Sequence, residues 1–243
     1  MFVAILRSIC AYTLAFVFLF PAIILIWGMA LISQDWVRNS TLFYGLLCYV
    51  YTLLVALSGA KLRVSGEEHM PNGPVILVAN HQSSLDIPVI GLLLKQKKHV
   101  WYALSYYAVH PLFKHILRAI GFAVDHDRPT ASARKIVENA AAIKDAGLSV
   151  VIFPEGGRYI DGAIHQYMRG FVTLSQLTGY PVVPVYMPYN GEVLPPGGIL
   201  LRGRRLVAII GKPMFRAEGE DDRAFCARVQ GWFEEQNKKY YTS

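Results

Sequence analysis

Cysteine is scarce in this sequence: only Cys10, Cys48 and Cys226 occur among 243 residues. They are widely separated, and none forms a Cys-x-x-Cys pair or a cluster with histidine. This pattern argues against a disulfide framework and a structural zinc site, and it is typical of free thiols in a reducing compartment. A chain of this length can bury a core that is stable without such crosslinks.

Charged residues are missing from two long stretches near the N-terminus. Residues 8–34 contain no Asp, Glu, Lys or Arg, and neither do residues 39–60. Each stretch is long enough to cross a bilayer core, which needs about 20 apolar residues. A cleaved signal peptide fits poorly, because the first stretch is too long and a second follows at once. We therefore predict a hydrophobic two-helix membrane anchor at residues 1–60, followed by a second domain at residues 61–243.

The charges that flank the two stretches predict an orientation. Arg7 precedes the first stretch, Lys61 and Arg63 follow the second, and the charges of Asp35 and Arg38 between them cancel. Because positive residues favour the cytoplasmic side, both ends of the hairpin and the following domain are expected to face the cytoplasm. The alternative is a hairpin that enters one leaflet without crossing, which a proline in the first stretch and several hydroxyl groups in the second would permit.

Most of the net charge of +7 lies outside the predicted hairpin. Residues 1–60 carry a net +1, which leaves +6 for residues 61–243. A basic domain tethered to a membrane favours anionic lipid headgroups and phosphorylated substrates as partners. Nucleic acid is not expected as a partner, because the sequence has no recognisable nucleic-acid-binding motif and no basic run beyond pairs and triplets.

Strands and helices alternate in the predicted second domain. The predicted strands are 75–79, 99–103, 121–124, 149–153, 182–187 and 205–210, and the predicted helices are 87–94, 111–120, 131–146, 168–178 and 220–241. This alternation indicates an α/β fold with a mostly parallel sheet flanked by helices. Residues 190–203 are rich in Pro and Gly and are predicted to form a loop, and the last helix is amphipathic.

The segment VILVANHQSSLD, residues 75–86, places His81 and Asp86 directly after a predicted strand. Open α/β sheets bind their ligands at this edge. A neutral imidazole can take a proton from a hydroxyl, and a carboxylate on its other nitrogen fixes the tautomer and stabilises the imidazolium. His81 is therefore a candidate general base, oriented by Asp86. The alternative is that Asp86 caps the next helix, which has Pro88 in its first turn.

Another predicted strand runs into the segment FPEGGR, residues 153–158. Its paired glycines, Gly156 and Gly157, let the backbone approach a ligand closely and point N–H groups at an anion. Arg158 offers a forked donor that matches phosphate, although a tight turn with a solvated arginine has the same pattern. Arg128 in the run DHDR is a weaker candidate, since neighbouring acids can balance its charge at the surface.

The sequence contains no GxSxG, GxxxxGK or HExxH motif, so the nucleophile is expected to come from the substrate. A phosphoester hydrolase is one alternative, with a metal held by some of the side chains His81, Asp86, Asp125, His126 and Asp127. A non-catalytic, membrane-anchored lipid-binding protein is another.

Three segments in this order, NHQSSLD at 80–86, FPEGGR at 153–158 and VPVYMP at 183–188, resemble the glycerolipid acyltransferases, most closely the bacterial 1-acylglycerol-3-phosphate acyltransferases. The resemblance implies that a lysophospholipid hydroxyl attacks an acyl thioester, with His81 as base and Asp86 as its partner. The donor would be acyl-coenzyme A or acyl carrier protein, with no other cofactor and no metal. The expected location is the bacterial inner (cytoplasmic) membrane, with the catalytic domain facing the cytoplasm.

The resemblance also implies a set of residues that bind substrate: Ser83, Arg128, Glu155, Gly156, Gly157 and Arg158. Arg158 would hold the acceptor's phosphate. Backbone N–H groups near the paired glycines, or at the helix start after Asp86, would stabilise the oxyanion. A structural role for Glu155, through bonds to nearby backbone, is the alternative for that residue.

This chain departs from the family pattern at three places near the expected phosphate site. Gly157 stands where the family usually has Thr, and residues 104–107, LSYY, stand where it commonly has a Lys-Lys-Glu-Leu run. A phosphate-binding lysine is therefore missing. In the segment GFAVDHDR, residues 121–128, the spacing from Gly121 to Arg128 is one residue longer than the family's usual Gly-to-Arg spacing. Arg128 is therefore shifted by one position from the arginine of the family pattern. A lyso-lipid with a different headgroup is accordingly the alternative acceptor.

Overall fold

The computed structural model of the protein describes residues 2–109, 114–125, 128–202 and 205–241. Three helices come first: α1 (Phe2–Ile32), α2 (Gln34–Asn39) and α3 (Thr41–Leu57). The later helices of the described chain are α4 (Asp86–Leu93), α5 (Ser105–Val109), α6 (Lys114–Ile120), α7 (Pro129–Asp145), α8 (Gly170–Thr178), α9 (Asn190–Val193) and α10 (Asp222–Tyr241).

Seven strands of the described residues form one sheet: β1 (Lys61–Ser65), β2 (Ile76–Ala79), β3 (His99–Leu104), β4 (Gly121–Val124), β5 (Ser149–Ile152), β6 (Val182–Tyr186) and β7 (Arg205–Ile210). Their order is β1-β7-β6-β2-β5-β3-β4, and every neighbouring pair is parallel except β6 and β7. The predicted α/β class with a mostly parallel sheet is confirmed. The strand β1 was not predicted, because this short edge strand alternates exposed and half-buried residues and lacks the buried apolar run of a central strand.

Helices cover both faces of the sheet, and the central strand β2 contributes to both cores. Leu77 points to the face covered by α3 and α4, whereas Ile76 and Val78 point to the face covered by α7, α8 and α10. All four residues of β2 are buried, as expected where a parallel sheet is covered on both sides. The carboxyl end of β2 therefore opens at the middle of the sheet edge.

Helix α3 is part of the core of the α/β domain. It packs so closely on α4 that a Cβ atom at Gly91 would lie 2.2 Å from the ring of Tyr51. Phe43 and Tyr44 are buried, and the Tyr44 hydroxyl donates a hydrogen bond to the carbonyl oxygen of His99 at 3.1 Å. The second uncharged stretch thus forms a helix of 17 residues that packs against one face of the sheet.

The segment between α1 and α3, which contains Asp35 and Arg38, forms the short helix α2. Ser33 Oγ accepts a hydrogen bond from the backbone N–H of Trp36, and this cap lets α2 begin. Val37 is fully buried. Arg38 donates from Nε to the carbonyl oxygen of Ala119 at 2.9 Å, which docks α2 on α6.

Within the described residues, α1 is the single helix long and apolar enough to cross a membrane by length and composition. Near its start, Tyr12 donates to the carbonyl oxygen of Ile199 at 2.5 Å, and Ser8 Oγ accepts from the N–H of Leu201 at 2.9 Å. Near its end, the Trp27 ring contacts His115 edge-on, with centroids 5.2 Å apart. Helix α1 therefore lies along the α/β domain between these contacts, a span of about 28 Å at 1.5 Å per residue.

Two further segments differ from prediction. Helix α5 follows β3 directly, and helix α9 begins inside residues 190–203, which were predicted to be a loop. The residue before α9, Tyr189, has a φ of 64°, a left-handed conformation that local sequence gives no reason to expect. The predicted helix 111–120 is described from Lys114 onward, and its first three residues lie outside the described range.

Candidate active site

The turn after β2 brings His81 and Asp86 into contact. His81 Nδ1 lies 2.8 Å from Asp86 Oδ2, and the same oxygen accepts hydrogen bonds from the N–H groups of Gln82 and Ser83 at 2.7 and 2.8 Å. Asp86 is fully buried, whereas the His81 side chain keeps 13% exposure. The carboxylate does not cap α4 at its N-cap position, which Leu85 occupies without a side-chain hydrogen bond. It binds the turn and the imidazole instead.

The His81 ring is fixed on its face as well as at its edge. It stacks on the ring of Phe153 with centroids 4.0 Å apart and planes 10° from parallel. Because a carboxylate only accepts, His81 Nδ1 carries the proton in this contact and Nε2 keeps a lone pair. The arrangement leaves Nε2, on a side chain with 13% exposure, at the carboxyl end of the central strand, where it can take a proton from a bound hydroxyl.

Asn190 is a site residue that sequence reasoning missed. Its Nδ2 donates to Asp86 Oδ1 at 2.9 Å, its Oδ1 accepts from the N–H of Val207 at 3.4 Å, and its side chain is fully buried. Asn80 plays a related part nearby, since its amide bonds both the N–H and the carbonyl oxygen of Met187 and joins the ends of β2 and β6. A polar residue three positions after the apolar run 182–187 was the available signal.

The turn after β5 carries Arg158 to the same edge. Gly156 makes the turn with a φ of 72°, which glycine adopts without strain. Arg158 Nη1 donates to Ser84 Oγ at 2.8 Å, and Nη2 donates to the Tyr107 hydroxyl at 2.6 Å. Ser84 belongs to the turn that bears His81, so the structure brings the guanidinium to the rim of the His81 site. Neither Ser84 nor Tyr107 was predicted as its partner.

The departure at Gly157 has a structural counterpart in Tyr159. A Cβ atom at Gly157 would lie 3.0 to 3.1 Å from the Tyr159 ring, so this ring occupies space that a threonine at 157 would need. The Tyr159 ring also stacks on the ring of His165, with centroids 3.7 Å apart. The N–H of Tyr159 donates to the carbonyl oxygen of His81 at 2.9 Å, which ties the two turns together.

Glu155 is buried beneath these turns with 8% exposure. Burial is the main cause that raises the pKa of its carboxyl to about 8, and the backbone N–H groups of His165 and His81 partly oppose this rise. Its Oε1 atom is buried and makes no hydrogen bond with any described residue. These contacts favour the alternative in which Glu155 braces the backbone under the site.

Two of the predicted substrate-binding residues have side chains that are not directed into this site. Ser83 is fully buried, and its hydroxyl donates to the carbonyl oxygen of Leu194 and accepts from the N–H of Leu85, so it is engaged by backbone rather than directed at a ligand. Arg128 is exposed at the start of α7, after the edge strand β4, and β3 and β5 separate it from β2. A substrate contact by Arg128 stays a prediction.

The metal site of the hydrolase alternative lies partly outside the described residues, because His126 and Asp127 are not among them. In the part of the chain that is described, no three or more His, Cys, Asp or Glu side chains are grouped so as to hold a metal ion.

A protein-family model described as Acyltransferase matches residues 61–188, which is more than half of the chain. The chain belongs to the acyltransferase family. The matched range contains the His81 turn, the FPEGGR segment and β6. The resemblance to glycerolipid acyltransferases that the sequence motifs predicted is confirmed by this match and by the relatives that follow.

The chain is similar to a 1-acyl-sn-glycerol-3-phosphate acyltransferase of Pseudomonas aeruginosa, with 26% identity over 214 residues covering 84% of this chain and 76% of that protein. A chloroplastic protein of the same name from Brassica napus is 30% identical over 164 residues, covering 66% of this chain. The chain spans 47% of that plant relative's length.

The fold also matches a solved structure. The crystal structure of a 1-acyl-sn-glycerophosphate acyltransferase from Thermotoga maritima superposes with a TM-score of 0.75 and covers 99% of this chain and 98% of its own. Sequence identity is 17%, so this likeness speaks to the fold, and it extends through the N-terminal helices as well as the sheet.

Proposed function

We propose that the protein transfers a fatty acyl chain from an acyl thioester to the free hydroxyl of a lysophospholipid, with 1-acylglycerol-3-phosphate as the first candidate acceptor. The observation that carries the proposal is the His81–Asp86 pair, held at the carboxyl end of the central strand with Arg158 bonded to the same turn. The names of the relatives support this acceptor.

The proton follows a short path in the proposed reaction. His81 Nε2 takes the proton of the acceptor hydroxyl while that oxygen bonds to the thioester carbonyl carbon. Asp86 stabilises the imidazolium that forms. The tetrahedral intermediate then collapses, the carbon–sulfur bond breaks, and His81 returns the proton to the leaving sulfur as a thiol. Because the acceptor itself is the nucleophile, no acyl-enzyme is needed and correct positioning supplies much of the rate.

Arg158 is the proposed anchor for the acceptor's phosphate. Its guanidinium is held at two nitrogens by the hydroxyls of Ser84 and Tyr107, both of which are neutral, so its charge stays available to an anion. The backbone N–H groups around Gly156 and Gly157 are the proposed oxyanion donors. The acyl donor is acyl-coenzyme A or acyl carrier protein, which share the thioester, and we propose no further cofactor.

We propose further that the N-terminal helices enter one leaflet of the bacterial cytoplasmic membrane from the cytoplasmic side without crossing it. A crossing hairpin would carry its tip to the far side, yet α2 is bonded to α6 through Arg38. Both ends of α1 also contact the α/β domain, while Phe16, Phe18 and Phe20 are exposed. Such a helix, apolar on its outer side and docked on its inner side, suits an interfacial position.

A different lyso-lipid acceptor is the second candidate. Tyr159 fills the space of the missing threonine, and Tyr107 pairs with Arg158 in the segment where the family commonly has lysines. At both places a polar or cationic group of the family pattern is absent, and a tyrosine ring lies beside Gly157 or Arg158.

The test is acyl transfer by the full chain in phospholipid vesicles. Labelled acyl-coenzyme A would be offered with lysophosphatidic acid and, separately, with lyso-lipids whose phosphate bears a headgroup, and His81→Ala would serve as the blank. We expect labelled phosphatidic acid as the main product. Transfer to another lyso-lipid would select the second candidate, and binding of lyso-lipid without any turnover would contradict the enzymatic proposal.

A further inference from the structure

The two oxygens of Asp86 have different partners. Oδ2 accepts hydrogen bonds from His81 Nδ1 and from the N–H groups of Gln82 and Ser83, all in one local turn. Oδ1 receives Nδ2 of Asn190, which lies 104 residues further along the chain. A carboxylate bonded through Oδ2 alone could still rotate about its Cβ–Cγ bond. The bond to Oδ1 removes this freedom.

Asn190 is itself fixed in orientation. Its Oδ1 accepts from the backbone N–H of Val207 on β7, so Nδ2 is the end that faces Asp86. The short helix α9, which carries Asn190, is bonded to the same turn a second time. The carbonyl oxygen of Leu194, at the C-terminal end of α9, accepts a hydrogen bond from the Ser83 hydroxyl at 2.7 Å. The asparagine amide therefore reaches Asp86 from a segment held at both ends.

We infer that Asn190 is a positioning residue for the His81–Asp86 base: it holds Asp86 through Oδ1 so that Oδ2 stays directed at His81 Nδ1. This inference rests on the proposed acyl transfer. Asn190 and Asp86 are both fully buried, so loss of the amide would leave Oδ1 with no water to replace it and would free the carboxylate to turn. The imidazole would then lose its fixed tautomer and direction in part of the molecules.

The ionisable groups near Asn190 and Asp86 affect the pH dependence expected for a variant at position 190. They are His81 on the turn itself, Glu155 after β5, Glu192 on α9 and Arg205 at the start of β7. Of these, His81 bonds Asp86 directly, and Glu155 interacts with it through charge. A carboxylic acid introduced at 190 would meet Asp86 at about hydrogen-bond distance and would share a proton with it, because two such carboxylates resist joint ionisation.

Two variants and a matched control test the inference in the full chain. N190L removes the amide at similar volume, and we expect kcat to fall roughly 10- to 100-fold with KM nearly unchanged, the usual worth of a hydrogen bond to a charged group. N190D can donate to Asp86 only while the pair holds a proton, so its activity should fall as pH rises through a range where the wild type is still gaining activity. N237A removes a half-buried amide that bonds Tyr186 and Gly162 away from the pair, and should keep the wild-type pH profile.

Wild-type kcat in folded N190L, or a wild-type pH profile in N190D, would overturn the inference. If N190L does not fold, as judged by thermal unfolding, the N190D profile decides. The imidazole Nδ1–H resonance of His81 in an NMR spectrum gives a readout besides activity, and it should broaden or move in N190L and stay in place in N237A. If the wild type transfers no acyl group, the proposed function fails, while this resonance still tests whether Asn190 positions the pair.

Discussion

His81–Asp86 and His165–Asp161 are two histidine–carboxylate pairs with nearly the same nitrogen–oxygen distance, 2.8 and 2.9 Å. The carboxylate of the first pair is fully buried, whereas the Asp161 side chain is 55% exposed. The histidines differ less, with 13% and 33% exposure. Distance alone therefore does not distinguish a candidate catalytic pair from a surface contact.

The partners of the two carboxylates distinguish them. Asp86 accepts two N–H groups of its own turn and the amide of Asn190, and water has no access to it. Asp161 has the backbone N–H of Ala163 as its main partner, which is the largest cause of its lowered pKa. Water competes for the exposed pair and allows it to open. A base with a fixed direction thus depends on buried partners that come from distant parts of the chain.

Removal of each histidine should give the largest difference between the two pairs. In the acyl-transfer assay we expect His81→Ala to lower kcat by roughly 10³-fold or more, in line with the loss of a general base. His165→Ala should change kcat by only a few-fold, because its pair is exposed. Similar losses in the two folded variants would show that the two pairs do not differ in function.

The carboxylates give the next largest contrast. Asp86→Asn should lower kcat by about 10²- to 10³-fold, since an amide neither fixes the imidazole tautomer nor stabilises the imidazolium. Asp161→Asn serves as the matched control and should leave kcat near the wild-type value. Both would be measured at saturating donor and acceptor. An Asp86→Asn enzyme as active as the control would remove Asp86 from the mechanism.

Arg158 extends the contrast to substrate binding, because Ser84 bonds it to the turn of the buried pair. Arg158→Lys keeps the charge and loses the forked geometry, so KM for lysophosphatidic acid should rise roughly tenfold or more while KM for the thioester changes little. Tyr107→Phe removes one partner of the guanidinium and should give a smaller rise in the same KM. An unchanged KM for the acceptor in Arg158→Lys would contradict the phosphate-anchoring role.

Glu155 lies next to the histidines of both pairs, because the backbone N–H groups of His81 and His165 face its carboxyl. Its pKa is raised from 4.5 to about 8, so between these pH values the folded state holds a proton that the unfolded state has lost. The free energy of unfolding should therefore fall as pH rises through this window. Glu155→Gln lacks this titration, and its stability relative to wild type should increase by at most a few kcal/mol from pH 5 to pH 8.5.

Chemical denaturation at several pH values measures this difference. A constant offset between Glu155→Gln and wild type across the window would contradict the raised pKa. Asp145→Asn, a surface substitution at the end of α7, serves as a control that should show no such trend.

The parts of the fold and site that sequence predicted are those set by local chemistry. The β2 strand is a buried apolar run, and His81 and Asp86 are five positions apart, so one turn suffices to join them. The Arg158 motif follows β5 just as closely. Local patterns of this kind are readable because each depends on a few neighbouring residues.

The parts that sequence missed depend on distant contacts. The pairing of Asn190 with Asp86 requires the left-handed Tyr189 and the packing of α9 on β7, neither of which a Pro- and Gly-rich segment indicates. Apolar periodicity likewise could not tell that α3 covers the sheet, because a core helix and a membrane helix share the same composition. Ser83 fits the family motif, but its side chain is buried and its hydroxyl donates to the carbonyl oxygen of Leu194.

The most direct test of the central claim is chemical rescue of His81→Gly by added imidazole. Removal of the ring leaves a space between Phe153 and Asp86 that imidazole can fill, with the carboxylate still present to orient it. The proposed mechanism predicts negligible acyl transfer by His81→Gly alone and a rate that rises with imidazole concentration, whereas His165→Gly should be active without it and insensitive to it. Wild-type transfer by His81→Gly without imidazole would contradict the assignment of His81 as the base.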